Sequence, residues 1–134
     1  MGYRRQAREI ALQTLYLCDT SNISMESALK TTLLDFITEQ VKKFSEHLVR
    51  GVFQHKEEID AMISRTAENW ELNRMAVVDR NILRVSTFEI ISDPNTPISV
   101  IIDEALEISK IYSTQESSKF INGILDKVKQ ERNP

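Results

Sequence analysis

The chain has little of what ends or bends secondary structure. Its 134 residues include three glycines (2, 51 and 123) and three prolines (94, 97 and 134). Between Tyr3 and Asp93 only Gly51 interrupts. The turn chemistry of a sheet protein is missing, and an almost entirely helical chain is expected. Cysteine occurs once, at Cys18, which excludes an internal disulfide and points to a reducing compartment, here expected to be the cytoplasm. Two histidines, His47 and His55, do not by themselves make a zinc site, so no metal is expected. No apolar run approaches the ~18 residues of a membrane helix. The basic start MGYRRQAREI lacks the apolar stretch of a signal peptide. No two glycines lie close enough for a phosphate-cradling loop, and no serine sits in a G-x-S-x-G turn. The neighbouring carboxylates Asp103-Glu104 and Glu57-Glu58 point ~100° apart on a helix and read as solvated faces rather than an acid–base pair. Neither an enzyme nor a cofactor is expected.

What is present begins with charge. Lysine and arginine total 17 against 20 acids, for a net charge of −3. Arg4, Arg5 and Arg8 open the chain with no acid among the first eight residues, so the rest is distinctly acidic. A positive end on an acidic body suits local capture of an anion; the alternative is ordinary charge at a helix start.

Apolar spacing at ~100° per residue marks the helices. The first covers about 3–19, with Ala7, Ile10, Ala11, Leu15 and Cys18 on its buried arc and the three arginines on the flank. A short helix at 24–33 is opened by Ser24. A long helical stretch at 38–68 carries Val41, Phe44, Leu48, Val52, Ile59 and Ile63, with Gly51 as a bend or a close approach. Asn73 is an expected N-cap for a helix at 74–92, along which Val78, Ile82, Val85 and Glu89 are spaced. The loop 93–97 places Thr96 as N-cap and Pro97 at the first helical position of a helix reaching Tyr112. Ser113 to Glu116 reads as a capping box for a last helix at 114–131, inside which Gly123 is expected to mark close helix packing. His47 and His55 read as surface or helix-pairing residues, and Trp70 as packing where two helical halves (about 1–70 and 71–134) of a single domain meet.

Arginines fork onto phosphates and stack on bases. Tyr3 and Tyr16 add stacking surfaces, and Gln6 and Gln13 add hydrogen bonds to base edges. The first helix therefore reads as a small site for single-stranded RNA.

Four stretches, RRQAREIALQTLY (4–16), VDRNILRVSTFEI (78–90), PISVIIDEALEISK (97–110) and SSKFINGILDKV (117–128), together with NWELNR (69–74), resemble the NusB family of bacterial transcription antitermination factors. That resemblance implies an all-α fold of about seven helices in two small packed bundles. It implies RNA binding without catalysis: recognition of the single-stranded boxA element of ribosomal RNA transcripts jointly with NusE, a small-subunit ribosomal protein, within a complex of other Nus factors on RNA polymerase. The resemblance leaves monomer and homodimer open, and a homodimer would hide the arginines. By motif, Arg4, Arg5 and Arg8 match the family's RNA-binding segment, with Gln6 where some members carry another arginine. Tyr16, Arg84, Lys119 and Phe120 match positions near the same surface. Glu116 falls where an acid often lies beside it, and Asp79 matches an acid on the face that meets NusE. Two other readings are a helical protein–protein adaptor and a NusB-like accessory domain of an rRNA methyltransferase. The second is the lesser expectation, because these 134 residues hold no methyl-donor domain.

Overall fold

A computed structural model describes residues 2–68 and 70–132. Among them are seven α-helices and no strand: α1 (Gly2–Ser21), α2 (Met25–Thr32), α3 (Glu39–Gln54), α4 (Lys56–Thr66), α5 (Val77–Ser92), α6 (Ile98–Tyr112) and α7 (Gln115–Arg132). No described helix is long and apolar enough to cross a membrane. The first bundle is α1 to α3 and the second α4 to α7, and α1 and α3 also lean on α5. One continuous apolar cluster runs through both, from Ala11 to Val128, with a smaller one of Ala7, Ile10, Ile37 and Val41 between α1 and α3.

The expected long helix at 38–68 is two helices. His55 ends α3 and starts α4, with φ −110° and ψ 22°. The break leaves the apolar spacing intact, since Val52 and Ile59 are both buried two turns apart, so the pattern alone does not reveal it. Because α4 packs on α5 and α7, the change of bundle falls at His55 rather than near Trp70. Trp70 itself is 56% exposed and meets Phe120 edge-on at 5.8 Å, so it is not the packing residue expected between halves.

Three expected caps lie elsewhere. Asn73 belongs to a 3-10 turn (Leu72–Arg74), and α5 begins after Ala76. Thr96 gives its hydroxyl to Asp93, whose carboxylate also accepts the Asn95 and Thr96 N–H groups, and Pro97 takes the N-cap position of α6. Thr114, not Ser113, caps α7 by accepting the Ser117 N–H at 3.0 Å. Cys18 is half-buried, and burial pushes its thiol pKa up.

Gly51 is where α3 and α5 approach. Its face lies against the Phe88 ring, which the imidazoles of His47 and His55 flank at 5.4 and 6.0 Å. Both histidines therefore pair helices. Gly123 is exposed with nothing within 4 Å of an added Cβ, so the expected close packing there is absent. Alanine substitution separates the two. Gly51→Ala drives a methyl into Phe88 and is expected to cost ~1–3 kcal/mol. Gly123→Ala is expected to stabilise by ~0.5–1 kcal/mol. Urea unfolding of each variant reads both signs.

Candidate nucleic-acid interface

The start of α1 brings Arg4, Arg5 and Arg8 together, and three acids from distant parts of the chain meet them. Arg4 is the most open, with a side chain 40% exposed. Its guanidinium lies over the Phe44 ring at 4.8 Å, donates to the Thr96 hydroxyl at 3.3 Å and stands 3.8 Å from Asp93. Arg5 forks onto Glu104, Nε and Nη2 donating to the two carboxylate oxygens at 2.7 and 2.6 Å. Arg8 is 5% exposed. It forks onto buried Glu89 at 2.8 and 2.9 Å and donates from Nη1 to Glu104 at 3.2 Å. The hydrogen bonds from Arg5 hold the Glu104 carboxyl below the usual carboxylate range. The cluster is thus nearly neutral: three arginines face Asp93, Glu89 and Glu104. Glu104, expected on a solvated face, is a buttress for two of them.

The acids were missed because they lie 81 to 99 positions from their partners in sequence. One signal was present. Glu89 falls in register with Val78, Ile82 and Val85, and a charge on a buried stripe requires an opposite charge beside it.

Other expected site residues scatter. Gln6 is exposed next to the cluster. Tyr16 lies eleven residues beyond Arg5, about 16 Å along the axis. Its ring, 42% exposed, walls a groove of about 520 Å³ with Leu12, Leu17, Leu34, Val78 and Tyr112. Arg84 is 7% exposed and away from the arginine cluster. It donates to Asp60 at 2.9 and 3.2 Å and to Asp19 at 3.1 Å, so it ties α4 and the end of α1 to α5. Asp79 is 6% exposed and accepts from Ser113 and Ser117, both at 2.7 Å. Its carboxylate is spent on the α6–α7 corner, next to the groove that Val78 and Tyr112 line. Lys119 and Glu116 are exposed on α7, and Phe120 is half-buried under Trp70. No three described His, Cys, Asp or Glu side chains are placed to hold a metal ion.

The sequence and the fold are similar to those of known proteins. The NusB family model matches residues 5–130. The transcription antitermination protein NusB of Elusimicrobium minutum is 46% identical, covering 98% of this chain and 96% of that one. The NusB of Desulforamulus reducens is 48% identical over 93% of this chain and 88% of its own. Among solved structures, a T. maritima NusB superposes with a TM-score of 0.91 at 39% identity, covering 98% and 93% of the two chains. A NusB solved with NusE and double-stranded RNA, 24% identical with a TM-score of 0.84 over 98% of each chain, shares the fold.

Two tests follow from the buried ions. Arg8→Ala leaves the buried Glu89 carboxyl without its partner, and is expected to destabilise the protein by ~3–5 kcal/mol in urea unfolding. Arg80, with Asn81 and Arg84, pulls the Asp19 carboxyl from 3.8 down to about 2. A depressed acid stabilises the fold above its unfolded pKa and loses that contribution as pH falls through the folded one. Between pH 4 and 2 the wild type should therefore lose about 2 kcal/mol that Asp19→Asn does not lose, measured by chemical unfolding across that range.

Proposed function

The chain belongs to the NusB family, and from that premise we propose that it is a non-enzymatic transcription antitermination factor that binds single-stranded boxA RNA of ribosomal RNA transcripts together with NusE. The observation that carries the proposal is identity with proteins of that name along nearly the whole chain, 46% over 98% of it. Other Nus factors and RNA polymerase enter through that complex, and a homodimer, if formed, would compete with it.

The surface supports this reading in a qualified physical form. Arg4 and Arg5 are half-exposed, with Tyr3 as a stacking ring and Gln6 as a base-edge donor and acceptor. Arg8 is internal; its part is to fix the helix start, not to meet phosphate. Two partly paired arginines make a weak RNA site, which a partner protein compensates by adding contact area and holding the strand. We assign NusE to the apolar groove beside Tyr16, Val78 and Tyr112. Asp79 then acts by bracing that groove through the α6–α7 corner rather than by direct contact. Tyr16 lies at the groove's edge, where an RNA strand running from Arg5 would reach the partner.

The pairing of all three arginines within the protein also favours the adaptor reading, in which α1 has no RNA role. Titration of boxA-type single-stranded RNA with and without NusE decides. Antitermination predicts tight binding only with both proteins, and a clear loss in the Arg4→Ala/Arg5→Ala variant. Three free arginines would add a slope of about −2 to log K against log salt on a single strand, and two would add about −1.4. The difference between wild type and the double variant is expected to be shallower than −1.4. Unchanged binding in the double variant would leave an adaptor.

A further inference from the structure

Resting on the RNA-binding reading, we propose that Glu104 is a specificity-determining residue of the α1 surface, its carboxylate occupying the seat on Arg5 that an RNA phosphate must take. The Nε–Nη2 edge of a guanidinium is a two-point fork that carboxylate and phosphate fit the same way. Glu104 fills both positions of the Arg5 fork, at 2.7 and 2.6 Å. A phosphate reaches that edge of Arg5 by exchange, and at Nη1 it binds beside the Glu104 charge.

Glu104 does not leave when Arg5 does. Arg8 holds the same carboxylate from the buried side at 3.2 Å and is itself fixed by Glu89. After the exchange the Glu104 charge therefore remains beside the incoming phosphate. The Arg5 side chain is about a third exposed, which leaves it within reach of a strand, and a cavity of about 290 Å³ on the Arg4 side of Glu104 is walled by Tyr3, Arg4, Arg8, Thr96 and Val100. An oligomer bringing only phosphates gains little at Arg5, because on the occupied fork one ion pair replaces another and at Nη1 the Glu104 charge offsets the attraction. A strand that also stacks a base on Tyr3, or that NusE holds in register, makes the exchange favourable. Glu104 in this way sets the margin between a cognate strand and an arbitrary one. Arg4 lacks this guard, since Asp93 stands 3.8 Å away with no fork, and it supplies the first, unselective contact.

The test measures binding of boxA-type RNA and of an unrelated single-stranded oligomer, with NusE present, to wild type, Glu104→Gln, Arg5→Ala and the double variant. Glu104→Gln is expected to tighten the unrelated oligomer about threefold to tenfold at low salt, and boxA-type RNA less, narrowing their ratio. Its salt slope should steepen by about 0.7, the value for one more released counterion on a single strand. In the Arg5→Ala background the substitution should change neither. An equal gain without Arg5, or no gain with it, overturns the role of Glu104. Should Glu104→Gln fail to fold by circular dichroism, Glu104→Asp decides. It keeps the charge, withdraws the carboxylate by one methylene, and is expected to give a smaller gain that again requires Arg5; no gain overturns the proposal. Absence of any binding by wild type with NusE would instead overturn the antitermination reading on which the proposal rests.

Discussion

Everything else in this molecule is arranged around a helix that carries three buried ionisable groups. Most of α5 is inaccessible to water, and Asp79, Arg84 and Glu89 lie along it at steps of five residues. Five residues turn a helix by about 140°, so the three side chains leave in different directions. Each is costly to bury alone and each finds its complement on a different element. Asp79 takes the two serines of the α6–α7 corner, Arg84 takes Asp19 and Asp60 from α1 and α4, and Glu89 takes Arg8 from the start of α1. Apolar burial supplies the driving force, but it is indifferent to which helix neighbours which. The ionic groups are not indifferent, and they fix the neighbours.

This explains why α1 lies where it does. Its first turns are held to α5 and α6 by Arg8 and Arg5, and its last turn by Asp19. The residues that would face a polyanion are thus the ones that moor the helix. From Arg8 to Arg5 to Arg4 the pairing weakens and exposure rises, from 5% to 32% to 40% of the side chain. One short segment passes from structural anchor to available ligand within five residues.

How much of this was legible follows from the range of each interaction. Helix number and approximate limits come from local signals: scarce glycine and proline, apolar spacing, and capping hydroxyls. These signals mark α1, α2 and α5 to α7 to within a few residues. Local signals failed where two residues offered the same chemistry, as with Ser113 beside Thr114, and where a break kept the apolar phase, as at His55. They also failed to separate Gly51 from Gly123, since only the tertiary neighbour, Phe88, distinguishes them. For the site, the arginines were visible in sequence but their acids were not. Family resemblance named Arg84 and Asp79 without saying that both face inward. Both are charges that α5 buries, a fact of tertiary structure that the local sequence does not carry.

The same arrangement bears on why such a protein would work in company. An acidic chain whose three leading arginines are answered by three carboxylates has little long-range attraction for RNA. Affinity must then come from short-range contacts, and those require a strand already held in position. The apolar groove beside Tyr16 lies on the same helix as Arg5, so a partner seated there would deliver its strand along α1 toward the arginines. Weakness at the arginines is in that sense useful. On the antitermination reading proposed above, free arginines would hold any strand loosely, and engaged ones would favour a strand that a second protein presents.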